Sequence, residues 1–149
     1  MFSKKLMAGW GDMDFNSHMR NTAFLDKSGD VRMLFLSEHG FPMSEFMRLN
    51  IGPVVMKDEI AYVKEVLLLE EITVTLSLAG LAEDGSRWIL RSDIIRPDGK
   101  LAARVNSTGG WLDLAARKLI APPPALMATW QKLARTDDFQ ELPSSLKSK

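Results

Sequence analysis

In Ile72-Thr73-Val74-Thr75-Leu76-Ser77-Leu78-Ala79 every second residue is a large aliphatic and the residues between are small or hydroxylated. Side chains of a strand point alternately to the two faces of a sheet, so this period of two predicts a half-buried antiparallel strand. Downstream, Glu83-Asp84-Gly85-Ser86 reads as a turn and Trp88 through Ile95 as the next strand. Pro97-Asp98-Gly99-Lys100 is a hairpin turn, and the last strand runs from about Leu101 to Leu112. Within it, Gly109-Gly110 marks a bulge or bend. Upstream, from residue 54, Ile60, Tyr62 and Val66 share one face and Ala61, Val63 and Glu65 the other.

Further upstream the period changes. Phe24, Leu25, Val31, Leu34 and Phe35 recur at helical spacing through Leu36. Asn21 or Thr22 can cap the helix start, and Gly40 is a suitable stop. Ala23, Ser28 and Gly29 are small, and an interior glycine costs about 1 kcal/mol relative to alanine. That cost makes sense where another backbone approaches closely. Residues 2–10 form a candidate first strand, and Pro122-Pro123-Pro124 introduces a short helix over roughly Ala125–Ala134. The expected architecture is α+β: a five-stranded antiparallel sheet, one long helix and a short C-terminal helix. It forms one domain over residues 1–135, followed by a tail over 136–149 whose end, Leu146-Lys147-Ser148-Lys149, frays. One helix covers one face of such a sheet, so the other face or an edge is expected to meet a second copy in a homodimer or homotetramer.

Bulk properties exclude several function classes. The 149 residues suffice for a core without staples, and 19 basic residues balance 19 acidic ones. A neutral chain has no overall field to hold nucleic acid. There is no cysteine, hence no disulfide, thiolate metal site or cysteine nucleophile. No apolar run approaches the roughly 20 residues of a membrane span, and the N-terminus lacks a secretory signal. A soluble cytoplasmic protein without membrane attachment is expected.

The chemistry concentrates in Asp12-Met13-Asp14-Phe15-Asn16-Ser17-His18-Met19-Arg20-Asn21, between the first strand and the helix. Backbone N–H groups at a helix start favour developing negative charge. A carboxylate beside them is equipped for acyl transfer: one group attacks a carbonyl or activates water while amides stabilise the oxyanion. Asp, Asn and Ser are equally ordinary turn and cap residues, which leaves a structural role open for each. Asp12-x-Asp14-x-Asn16 opens like an EF-hand, but Ser17 stands where glycine is needed and Ala23 where a bidentate glutamate is needed. His18 and His39 lie too far apart in a chain without cysteine for a zinc pattern. No metal and no cofactor are expected.

The ordered pattern Asp14-x-Asn16-x-His18-x-x-Asn21, preceded by Asp12-Met13, resembles the signature of hotdog-fold acyl-CoA thioesterases. It is similar to the Asp-x-Asp stretch of the 4-hydroxybenzoyl-CoA thioesterase group and to the Asp-x-Asn-x-His-x-x-Asn run of acyl-carrier-protein (ACP) thioesterases. Asn21-Thr22-Ala23-Phe24-Leu25 resembles the opening of the family's central helix. Tyr62 sits where its second strand often has a tyrosine. Trp111-Leu112-Asp113-Leu114, Arg117 and the prolines from Pro122 resemble its closing strand. The resemblance implies a sheet wrapped around a central helix and hydrolysis of an acyl-CoA or acyl-ACP thioester. Asp14 would be the nucleophile or general base, the Asn21 N–H would polarise the carbonyl, and Asn16 and His18 would orient the carboxylate, water or substrate. Phe24 and Tyr62 would line the substrate site. Two departures bear on this: Ser17 replaces a common glycine, and Phe24 a frequent tyrosine. Asp12 is expected to support the turn, and Phe41, Met43, Phe46 and Met47 to fill the core or an acyl pocket. A non-catalytic acyl-thioester-binding protein and an enoyl-thioester hydratase remain as alternatives.

Overall fold

The computed structural model of the protein describes residues 1–146, so the expected fraying from residue 147 on lies outside the described residues. The chain forms β1 (Phe2–Met7), α1 (Asn21–Glu38), α2 (Met43–Leu49), β2 (Ile51–Tyr62), β3 (Glu71–Ala82), β4 (Arg87–Ile95), β5 (Leu101–Asp113), β6 (Lys118–Ile120), α3 (Pro124–Trp130) and β7 (Arg135–Leu142). The strands make one sheet in the order β1-β3-β4-β5-β2. β6 adds antiparallel to the end of β5, and β7 adds parallel to β3. Register pairs such as Val74↔Ile94, Leu90↔Ser107 and Ile60↔Val105 tie the hairpins together. α1 packs across β3, β1, β5 and β4. None of the described helices is long and apolar enough to cross a membrane.

The α+β class with an antiparallel sheet agrees with the expectation, but the element count does not. Among the described residues there are seven strands rather than five, and three α-helices rather than two. β6 has three residues, too few to show a period. α2 is a seven-residue helix ended by Asn50 in the left-handed region, φ 54°. β7 falls inside the expected tail; its sequence, RTDDFQEL, has no apolar alternation because it is a mostly exposed addition to the sheet. β2 stops at Tyr62, so residues 63–66 leave the sheet instead of continuing the strand. The register between β3 and β7 jumps from Leu78↔Arg135 to Gly80↔Gln140. From the displaced segment, Asp138 takes a bidentate pair from Arg91 at 2.9 and 3.0 Å. This explains why Ser77, which faces Arg91, and Ala79 are buried on what was expected to be the solvent face.

Ile72, Val74, Leu76 and Leu78 form the core floor under Phe24, Val31, Phe35 and Leu36 of α1, all at most 3% exposed. Burying side chains of this size contributes about 1.5–3 kcal/mol each. At one end of the core Trp88, Trp111 and Trp130 make a cluster with centroids 5.2–6.1 Å apart. Ala23 and Ser28 are buried, as close packing requires. At Gly29, by contrast, nothing among the described residues outside its own stretch of helix lies within 4 Å of where a side chain would begin.

Gly109 has a definite packing role. The register irregularity lies opposite it in β2, between Val55 and Lys57. A Cβ at Gly109 would stand 2.4 Å from Trp88 Cη2 and 2.4 Å from the Val54 carbonyl oxygen. Neither the buried indole nor the strand backbone can yield cheaply. Gly109→Ala is therefore expected to destabilise the fold by about 3 kcal/mol through overpacking, read as a lower urea midpoint at unchanged slope.

Candidate active site

The loop from β1 to α1 is built in two parts. Residues Trp10–Asp12 make one 3-10 turn. The Asp12 carboxylate accepts from the Gly9 N–H at 2.8 Å and pairs with Lys27 Nζ of α1 at 2.9 Å. Burial works to raise the Asp12 carboxyl, but Lys27 and the Gly9 N–H outweigh it and hold the group below its usual range. The Arg20 N–H donates to the Asp12 carbonyl at 2.8 Å, and the Arg20 guanidinium donates to the Gly11 carbonyl. Asp12 thus fastens the loop to the helix, the supporting role expected of it.

The second part is a tight reversal. Met13 bridges Met19, the Asp14 N–H donates to the His18 carbonyl at 2.7 Å, and the Ser17 N–H donates to the Asp14 carbonyl at 3.1 Å. Ser17 has φ 61°, the left-handed backbone that glycine adopts freely and serine at a cost of roughly 1–2 kcal/mol. The glycine-to-serine departure therefore leaves the turn intact at some strain. Asp14 closes the reversal: its Oδ1 accepts from the Asn16 N–H at 2.8 Å and the His18 N–H at 3.1 Å. Among the described residues no donor reaches its second oxygen.

α1 begins at Asn21, with Arg20 as N-cap (φ −67°, ψ 154°) and no side chain capping the first turn. This corrects the expectation of Asn21 or Thr22 as cap. Asn21 is the first helical residue, so its N–H has no carbonyl a turn earlier to bind, and the helix dipole adds to its pull on an anion. A cleft of about 350 Å³ opens here, lined by Asp14, His18, Asn21, Phe24 and Tyr62 among others. The Tyr62 hydroxyl donates to the Asn21 carbonyl at 3.1 Å, and its ring meets Phe24 edge-on at 5.6 Å.

Five of the six residues singled out from the sequence therefore border one cavity. Asn16 does not line it; the residue is exposed, and its backbone N–H serves Asp14. Sequence reasoning missed Lys64 and Glu65, which also line the cleft. Glu65 Oε2 stands 4.0 Å from His18 Nε2. They reach the cleft because the chain leaves the sheet after Tyr62, where the Val63 and Lys64 N–H groups both bind the Ala102 carbonyl. The alternation read through residue 66 concealed that exit. The segment is then zipped to the loop by the Met19 N–H on the Val66 carbonyl at 2.8 Å and by a bridge between His18 and Leu67.

No curated protein matches the chain. Solved structures match its fold. A Staphylococcus aureus protein determined in complex with CoA aligns with TM-score 0.82 at 22% identity over 91% of this chain and 86% of its own. A probable thioesterase from Escherichia coli, YbaW, gives 0.76 at 22% identity over 90% and 99%. A 1,4-dihydroxy-2-naphthoyl-CoA thioesterase from Synechocystis gives 0.79 at 15% identity over 89% and 96%. The profile of the thioesterase-like superfamily matches residues 8–130, which takes in the loop, the cleft, strands β2 through β6 and α3, and the chain belongs to that superfamily.

Proposed function

We propose that this protein hydrolyses an acyl-CoA or acyl-ACP thioester to the free acid and thiol. The observation that carries the reading is a single cleft in which a carboxylate with one oxygen that no described donor engages, Asp14, lies with the first turn of an eighteen-residue helix that no described side chain caps. A thioester carbonyl hydrogen-bonded to the Asn21 N–H presents its carbon to that oxygen or to a water held by it. In either case the developing oxyanion is met by a preorganised amide and the helix dipole. Asn16 and His18 act through their backbone N–H groups, which fix the carboxylate. The His18 ring and Glu65 flank the same space. Phe24 and Tyr62 supply the apolar wall against which the acyl group rests.

The fit of Asp14 Oδ1 to two turn amides also favours a second reading, in which the carboxylate is purely structural and the protein binds acyl thioesters without cleaving them. Incubation with acetyl-, butanoyl-, dodecanoyl- and benzoyl-CoA, with free thiol detected, separates the two. Release from at least one substrate is expected, while saturable binding without release would establish the binder. An oligomer is proposed as the working form, because among the described residues β2 ends the sheet with one unpaired edge over its twelve residues and exposes Val55 and Met56. Sedimentation at the expected dimer or tetramer mass checks this in the same preparation.

A further inference from the structure

The loop from β1 to α1 and the stretch after β2 both border the cleft, and backbone hydrogen bonds stitch them into one platform. The Ala8 N–H donates to the Glu70 carbonyl at 2.9 Å, the Leu69 N–H to the Ala8 carbonyl at 2.7 Å, and the Met19 N–H to the Val66 carbonyl. Ala8, Met19 and Val66 are buried beneath it. What the platform presents outward is also apolar. Trp10 stands on the 3-10 turn at 83% exposure. Phe15, inside the turn closed by the Ser17 N–H on the Asp14 carbonyl, is as exposed as in an extended chain, at 102%. Leu68 and Leu69 are the centre of a third turn, closed by the Glu70 N–H on the Leu67 carbonyl at 3.2 Å, and all three leucines are exposed. Leu69 has φ 68°, the left-handed region that glycine enters freely and leucine only against strain. Stability alone would favour glycine or asparagine at that position of a turn.

Large apolar side chains gathered at one exposed place mark a surface that meets something. The charges narrow what that is. Residues 5–20 and 62–71 hold five carboxylates against three lysine and arginine residues, so no positive field is there to draw a polyanion or an acidic protein. Nor are the carboxylates free for a basic partner: Lys27 pairs with Asp12, two amides bind Asp14, and the Leu67 N–H donates to Glu70 at 2.6 Å. A two-fold contact with a second copy must be self-complementary, and prongs set on prongs are not. We infer that these three turns dock the protein on an electrically neutral lipid surface, with Trp10, Phe15 and Leu67–Leu69 entering the headgroup boundary beside the cleft. Aromatic rings suit that boundary, and adsorption there scales with the apolar area buried. The expectation of no membrane attachment rested on the lack of a long apolar run, and three separate turns leave no such run. Lipid binding is read without hydrolysis, so its outcome is independent of the thioesterase reading.

The chain carries its own reporter. Of its four tryptophans, Trp88, Trp111 and Trp130 are at most 1% exposed, so fluorescence that aqueous iodide quenches is that of Trp10. The experiment titrates the full chain with phosphatidylcholine vesicles and follows Trp10 emission, iodide quenching and cosedimentation, for the wild type, Phe15→Ser and Leu69→Gly. Association is expected, with a blue shift and loss of the iodide-quenched fraction. It should persist in about 0.5 M NaCl, which screens charge but not apolar insertion. Each substitution is expected to lower the partition coefficient about fivefold or more. Leu69→Gly relieves the positive φ, so it keeps the test open should Phe15→Ser disturb its turn. No association with the vesicles overturns the inference, as does association that both variants retain in full or that salt abolishes. A lipid-free wild type that sediments at a higher mass than Phe15→Ser also overturns it, and assigns the three turns to contact with a second copy.

Discussion

Asp14→Asn is expected to lower kcat for thioester hydrolysis by about a thousandfold while leaving the unfolding midpoint within a degree or two. The geometry makes this substitution unusually clean. Asp14 Oδ1 accepts from two backbone amides, Asn16 and His18, and the carbonyl oxygen of an asparagine can accept both. What is lost is the charge and the second oxygen, which no donor among the described residues engages. Asp14→Ala removes the acceptor as well; each abandoned amide is partly rehydrated, at about 1 kcal/mol, so this variant should lose stability in addition to activity. Free-thiol release under saturating substrate, beside a thermal melt of each variant, reads the two effects separately. Full activity in Asp14→Asn would assign Asp14 to the turn alone and leave catalysis to another group of the cleft.

The contrast between those variants reflects what a sequence can and cannot disclose about this site. Asp14, His18 and Asn21 stood out through the family resemblance of an ordered pattern, and because they fall on one short turn at a helix start, local structure alone brings them together. Tyr62 came from family resemblance, and its contact with the Asn21 carbonyl spans 41 residues of chain. Lys64 and Glu65 carried no signal, since their arrival at the cleft depends on where β2 stops pairing with β5 at Tyr62↔Ala103. Asn16 shows the opposite case: its position in the pattern is satisfied by a backbone N–H, for which side-chain identity matters little.

The fold divides in the same way. Strands β3, β4 and β5 were legible because each buries at least one alternating face, and the hairpin turns between them obey local rules. β7 was not, because a strand added parallel to β3 through its ends, with Asp138 reaching across to Arg91, needs no periodicity of its own. Gly29 is the instructive residue. Its cost to the helix is evident from sequence, and a close backbone contact was the natural expectation. The structure leaves that contact unfilled among the described residues, and Gly29 borders a groove between α1 and β2 instead.

Asn21→Pro should separate the helix amide from everything else the residue does. Proline is favoured at the first helical position, where the missing N–H costs no internal hydrogen bond. It also demands an extended preceding residue, and Arg20 already has φ −67° and ψ 154°. The Asn21 carbonyl, which accepts the Tyr62 hydroxyl, is retained, and the lost side chain is exposed. Stability is thus expected to change by less than about 1 kcal/mol. Removing one donor to a developing oxyanion typically costs about 10²–10³ in kcat, and a loss of that order is expected here, with KM moving far less because the interaction strengthens only as charge develops. Asn21→Ala keeps the N–H and removes only the amide side chain, so its loss should be smaller by at least an order of magnitude. Equal losses in the two variants would transfer the role to the asparagine side chain. Near-normal turnover in the proline variant would place the oxyanion away from the start of α1.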